Sequence, residues 1–370
     1  VCPRTAGNHY SIEFPGKSQE EFHSGTGGHE TKRKHGNGEF LALTESILAL
    51  SELIPAFILK AGMISPPTGG KGRSFFMKQI EIGVCVPGNR TDVWLEPLVN
   101  AGYECVALNF HMSLDGVDLR KLADRVMPFL REKGVRVATL GFYCNPIENA
   151  EHRRILGEVL DAAPLFGAPI VSTFAGAYEG EPVEKAIPKF GEVFRELAKH
   201  AKDNGLKIVI ENCPMDGNWK RATCNIAFHP KAWEMMFHEV PDENVGLEWE
   251  PGHQSIQLID PVAQLREWIG TGRILHMHGK DCTTDWDKVR REGVFGAAQY
   301  AQQRTPGFGD TDWRQIFSIL RAGGYESDIC VEGFHDPVYR GEWEMTGLTH
   351  SLRYLNWCRG GNFVAGPENV

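Results

Sequence analysis

Four short apolar runs in this chain stop on a side chain that can hold a cation or move a proton. They read Ile210-Glu211-Asn212, Trp249-Glu250-Pro251-Gly252-His253, His276-Met277-His278 and Val331-Glu332. A carboxylate at the end of a buried run is expensive unless it is paired or bound to a metal. One such Glu alone is ordinarily a salt bridge or a helix cap, whereas four such ends in succession point to shared chemistry. Three carboxylates and one imidazole make a ligand set for one divalent cation, with positions left open for a substrate. Oxygen-rich ligation favours Mn²⁺, Mg²⁺ or Co²⁺ over a thiolate-seeking metal, with Mn²⁺ preferred and Zn²⁺ admissible. Residues two apart on a strand share a face, so His276 points with His278 and Glu248 with Glu250. The member further along lies nearer the strand mouth. That selects His278 and Glu250 as ligands and leaves His276 an orienting or packing role.

Such side chains need a scaffold that delivers several strand ends to one place. Runs of strand length occur at Ile80–Val86, Cys105–Leu108, Val135–Leu140, Pro169–Phe174, Lys207–Ile210, Val245–Trp249, Ile274–Met277 and Ile329–Val331. Helix-period stretches separate them, including Leu119–Lys133, Ala150–Phe166, Val183–Asn204, Pro230–Val240, Pro261–Ile269, Trp313–Ala322 and Glu342–Trp357. Gly102, Gly134, Gly167, Gly205 and Gly323-Gly324 stand where helices should stop. Eight strand–helix units over about 285 residues predict an α/β (β/α)₈ TIM barrel, with its chemistry at the C-terminal strand ends. A doubly wound dinucleotide fold is disfavoured, because Val86-Pro87-Gly88-Asn89-Arg90 follows the first run where G-x-G-x-x-G would be needed.

The predicted barrel spans residues 77–361, followed by a short tail at 362–370. Residues 1–76 read differently. Val1–Glu39 is rich in Gly, His, Ser and Lys without an apolar period, so it reads as a poorly structured extension. Gly69-Gly70-Lys71-Gly72 precedes Met77, which makes Met77 the expected natural start and residues 1–76 translated leader. Phe40–Met63 carries Glu45, Glu52, Lys60 and Pro55, so it is an amphipathic stretch and no membrane span.

Composition narrows the function. With 39 Lys plus Arg against 48 Asp plus Glu the net charge is −9, which gives no field for a phosphate backbone and argues against nucleic acid. Nine Cys without a C-x-x-C pair read as reduced thiols of a cytoplasmic protein. A 42% hydrophobic content is ample for a large core.

Longer motifs carry a resemblance. They are Ile210-Glu211-Asn212, Gly246-Leu247-Glu248-Trp249-Glu250-Pro251-Gly252-His253, His276-Met277-His278-Gly279-Lys280-Asp281, Pro306-Gly307-Phe308-Gly309-Asp310-Thr311-Asp312-Trp313 and Val331-Glu332-Gly333-Phe334-His335-Asp336-Pro337. In their order and spacing, from about Met77 to Gly360, the chain resembles the xylose isomerase-like TIM-barrel superfamily, with its sugar phosphate isomerase/epimerase members. The resemblance implies a Glu, Asp, His, Glu metal site that falls on Glu211, Glu250, His278 and Glu332. Glu250 departs from the family's usual Asp in D-P-x-H, which moves the oxygens outward by one methylene. The implied activity is a metal-dependent sugar isomerase or epimerase. Glu211 or Glu332 would take a proton next to a carbonyl, through a metal-bound enediolate. The alternative is a metal-dependent lyase or hydratase on a keto-sugar or glycoside, working with a partner subunit. A nuclease on the same barrel would need a His-rich zinc cluster and a basic surface, which this ligand set and charge oppose.

Position nominates His253, Lys280, Arg304 and His111 as substrate contacts. Asn145 and Phe174 are further mouth candidates, and Trp219, Trp249 and Trp286 candidate sugar-stacking rings, with core packing the plainer role for each Trp. Gly279–Asp310 is too long for a turn and is expected to act as a lid or pocket wall. The expected partner is a small sugar, with a homo-oligomer as the expected assembly.

Overall fold

The computed structural model describes residues 79–296 and 299–367. The expectations for residues 1–76, the amphipathic stretch and the start at Met77 among them, lie outside the described residues. So do the last three residues of the expected tail.

Eight parallel strands close into a barrel: β1 (Ile82–Pro87), β2 (Cys105–His111), β3 (Arg136–Tyr143), β4 (Ile170–Thr173), β5 (Lys207–Glu211), β6 (Val245–Trp249), β7 (Ile274–Gly279) and, past a two-stranded hairpin of β8 (Asp281–Thr284) and β9 (Ala301–Arg304), β10 (Ile329–Val331). Closure is made at β1, where Val84 pairs with Val106 of β2 on one side and Val331 of β10 on the other. The helices are α1 (Thr91–Asn100), α2 (Leu119–Lys133), α3 (Ala150–Ala162), α4 (Val183–Asp203), α5 (Pro230–Glu239), α6 (Pro251–Ser255), α7 (Pro261–Trp268), α8 (Trp286–Glu292), α9 (Trp313–Ala322) and α10 (Glu344–Arg359). No helix among the described residues is long and apolar enough to cross a membrane.

The sequence pattern explains these elements. Barrel strands are covered on both faces and so carry unbroken apolar runs, such as the buried Ile208-Val209-Ile210 of β5. The helices bury one stripe each. In α4 it is Val183, Ile187, Phe190, Phe194, Leu197 and Ala201, the three-to-four spacing of one helix face. Asp118, Asn149, Asp260 and Asp312 cap α2, α3, α7 and α9 by accepting hydrogen bonds from first-turn N–H groups. Gly134 ends α2 at φ 67°, where an L side chain would be strained. Strand β3 runs three residues beyond the predicted Leu140. Gly141, Phe142 and Tyr143 find ladder partners in Asn109, Phe110 and His111 of β2, which the run of apolar residues could not announce.

At the N-terminal end of the barrel the Arg136 guanidinium bridges Glu81 and Asp328. Glu81, Asp328 and Cys105 lie close enough to hold a metal, but Arg136 already supplies that cation. Polar chemistry is therefore left to the opposite end.

Within the predicted lid from Gly279 to Asp310, β8 and β9 pair antiparallel, Asp281 opposite Arg304, and α8 lies between them. This excursion hangs on one buried carboxylate. Asp281 accepts hydrogen bonds from the backbone N–H groups of Cys282 and Thr311 and from Trp313 Nε1, at 2.9–3.0 Å. Replacing it with Ala leaves those donors unmet in a dry environment. Asp281→Ala is expected to lower stability by about 2–4 kcal/mol, read as a lower denaturant midpoint at unchanged slope. A loss below about 0.5 kcal/mol would mean that the excursion is held elsewhere.

Candidate active site

Glu211 closes β5, Glu250 follows β6 by one residue, His278 lies in β7 and Glu332 follows β10. Parallel register delivers all four to the same mouth, where one ligand atom from each lies within 4.8 Å of the others. His278 Nδ1 is the hub: it is 3.1 Å from Glu211 Oε1, 3.3 Å from Glu332 Oε2 and 3.7 Å from Glu250 Oε2. Backbone clamps set the carboxylates. Asn212 Nδ2 donates to the Glu250 carbonyl and its Oδ1 accepts from the Glu250 N–H, at 3.0 and 2.8 Å. Asn225 Nδ2 donates to the carbonyls of Glu211 and Cys213.

Glu248 and His276 sit behind this cluster. Glu248 accepts from Tyr143 Oη and Ser172 Oγ, each at 2.7 Å, and lies 2.8 Å from His276 Nδ1. It is also 3.3 Å from His278 Nε2. Glu248 therefore fixes the His278 ring, and with Nε2 engaged, Nδ1 is the atom turned to Glu211, Glu250 and Glu332. Tyr143, three residues past the apolar run expected there, was not legible as part of the site. Its hydroxyl also lies 3.3 Å from His278 Nε2.

The electrostatics show an unmet demand for a cation. Both oxygens of Glu250, Oε2 of Glu332 and both ring nitrogens of His253 are buried without a well-aligned hydrogen bond. Short distances to His253 (3.1 Å from Nε2 to Glu250 Oε1) and to Lys280 do not supply the missing alignment. Burial pushes the Glu250 carboxyl up to about 8 and raises Glu211 as well. Burial acts the same way on Glu332, but the Lys280 ammonium and His278 outweigh it and hold that carboxyl well below the usual range. For His278 burial opposes the charge, yet Cys85 and Glu248 beside it carry the imidazole well above its ordinary value. Three hard oxygen donors and one imidazole nitrogen, several without partners, fit a divalent cation of the Mn²⁺, Mg²⁺ or Co²⁺ type. Glu211, Cys213 and His253 form a second close group that shares Glu211 with the first.

Beside the cluster lies a cavity of about 470 Å³, within the size range of small-ligand sites. Its wall includes His111, His253, Lys280 and Phe174 among the nominated residues, together with Tyr143. Arg304 does not line it: its Nε donates to Asp336 Oδ2 at 3.0 Å, and the neighbouring Gln303 faces the cavity instead. Strand alternation in β9 decides this, and the hairpin could not be read from the sequence. Asn145 is spent on the backbone of Ala177. Trp219 donates to Glu184, Trp249 is packed in the core against Gln264, and Trp286 is half exposed on α8, so none of the three lines the cavity.

Because Glu248 orients the coordinating ring, Glu248→Gln is expected to weaken divalent-metal binding by about 10–100-fold with little change in fold. Calorimetric titration with Mn²⁺ reads this directly, and an unchanged affinity would remove Glu248 from the site.

Comparisons with known proteins agree with this architecture. Residues 95–357 match the family described as xylose isomerase-like TIM barrel. An inosose dehydratase of Clostridium tetani (strain Massachusetts / E88) is 28% identical over 166 residues, 44% of this chain and 52% of that protein. The chain thus spans about half the length of that relative. A xylose isomerase domain protein from Planctomyces limnophilus superposes with a TM-score of 0.60 at 16% identity, over 76% of this chain and 98% of that one. An L-ribulose 3-epimerase gives 0.56 at 16% identity, over 76% and 95%. Identities this low speak to the fold alone. With the family profile covering most of the barrel, the chain belongs to the xylose isomerase-like TIM-barrel family.

Proposed function

We propose that this protein is a divalent-metal-dependent sugar isomerase or epimerase that moves a proton next to a carbonyl. The observation that carries the reading is the convergence of Glu211, Glu250, His278 and Glu332, one ligand atom from each within 4.8 Å of the others, beside a cavity whose wall includes Glu211, His278 and Glu332. Glu211, Glu250, Glu332 and Nδ1 of His278 would hold the cation. When bound, the metal polarises a carbonyl and lowers the barrier to losing the adjacent C–H proton. The chain's own residues do the rest. Glu211 and Glu332 reach the centre from strands separated by β6 and β7, so one carboxylate can take the proton and the other can return one. Return to the same carbon gives an epimer, and return to its neighbour gives an isomer. His253, its nitrogens unsatisfied beside Glu250 and Glu211, and Lys280 are placed to meet substrate oxygens.

Among the described residues the cavity wall includes one lysine and no arginine. That supports an unphosphorylated sugar, since phosphate recognition favours bidentate Arg or clustered cations. A second reading is favoured by the similarity to an inosose dehydratase. After the same proton abstraction, loss of a β-hydroxyl as water would make the protein a lyase on a keto-sugar.

Incubation with keto-sugars and Mn²⁺ in D₂O separates the outcomes: isomerase or epimerase activity incorporates deuterium and conserves mass otherwise, whereas lyase activity loses water. Glu211→Gln and Glu332→Gln are each expected to slow turnover by about 10²–10⁴-fold. Retention of wild-type exchange in both would overturn the assignment. Metal binding should also depend on pH. Glu250, with its carboxyl at about 8, is largely protonated at pH 7, so metal uptake expels at least that proton. Affinity is therefore expected to rise about tenfold per pH unit from 6 towards 8, in calorimetry that also counts released protons. A flat profile over that window would show that Glu250 gives up no proton on metal binding.

A further inference from the structure

Lys280 is placed on the oxygens that a metal would need. Its Nζ lies 2.8 Å from Glu332 Oε2 and 3.4 Å from Glu250 Oε2. Those same two oxygens face His278 Nδ1, at 3.3 and 3.7 Å. The lysine is buried, 2% exposed, on the β7–β8 junction, and its own carbonyl accepts from the Gly252 N–H, so the backbone that carries it is tied to α6. With all three carboxylates ionised and His278 neutral, as metal ligation requires, three carboxylates and one ammonium carry −2, which one divalent cation cancels.

We propose that Lys280 is a built-in counter-ion that holds Glu250 and Glu332 together in the metal-free protein and competes with the divalent cation for their Oε2 atoms. The inference rests on reading the cluster as a metal site. Without such a cation, Glu211 and Glu332, joined by Glu250 as its carboxyl ionises near pH 8, would repel one another in a medium where charges are poorly screened. With it, metal binding has to displace or share an ammonium already in place, and the loaded site is neutral overall. The lysine thereby trades metal affinity for an ordered metal-free fold. Since Lys280 also lines the cavity, yielding the carboxylates frees its N–H donors for substrate oxygens, and substrate recognition becomes coupled to metal loading.

The test is Mn²⁺ binding by calorimetry at pH 8 on chelator-treated full-length protein, Lys280→Met and Lys280→Arg. Lys280→Met is expected to bind Mn²⁺ about tenfold more tightly or better, and to melt at a lower temperature than wild type before metal is added. Lys280→Arg, which keeps the charge, should stay within about threefold of wild type. Equal or weaker binding by Lys280→Met overturns the counter-ion role while leaving the metal site intact. Absence of binding in all three proteins overturns the metal-dependent reading itself and this inference with it. Should Lys280→Met fail to fold, wild-type protein decides the matter. The Lys280 ¹³Cε and ¹⁵Nζ resonances, identified by their loss in Lys280→Arg, should shift with stoichiometric Mg²⁺. Resonances that stay in place at saturation refute the competition.

Discussion

Three carboxylates buried at one end of a closed barrel are the constraint around which this structure is arranged. Taking each ion out of water costs several kcal/mol, and placing them within reach of one another adds repulsion. Lys280, His278 and His253 sit on these oxygens and offset part of that cost. Both oxygens of Glu250 and Oε2 of Glu332 nonetheless lack a well-aligned hydrogen bond. A second cluster of charge, Arg136 between Glu81 and Asp328, meets its own needs at the far end and illustrates the contrast.

Holding such a cluster requires a frame that cannot relax away from it. The parallel ladder supplies coarse placement, since every strand presents its C-terminal end at the same mouth. Fine placement comes from polar side chains spent on backbone. Asn212 locks the residue that carries Glu250, Asn225 ties the Glu211 and Cys213 carbonyls, and Asp281 pins the hairpin beside Lys280. Behind the His278 ring, Tyr143 and Ser172 donate to Glu248, which faces His278 Nε2 and holds the imidazole in one orientation.

Longer side-chain reach at position 250 fits the same logic. Glu250 stands where the family usually has Asp, and its oxygens reach both His253 and Lys280. That carboxylate thus touches two residues that also face the cavity.

The eight apolar runs and the glycines between them determined the barrel, because strands covered on both faces must be apolar and their order along the chain sets the order of their ends. The types and positions of Glu211, Glu250, His278 and Glu332 were legible for the same reason: a polar group directly after such a run can only lie at the mouth. The choice of His278 and Glu250 over His276 and Glu248 followed from strand period. Three things came only with the tertiary structure. Tyr143 entered the site through strand pairing with β2, which lengthened β3 past its apolar run. Arg304 turned away to Asp336 because the β8–β9 hairpin, invisible in the sequence, fixed which face of β9 looks inward. The meeting of Lys280 Nζ with Glu250 and Glu332 depends on distances across three strand ends. Sequence spacing along one strand carries no information about such cross-barrel contacts; barrel closure and register decide them.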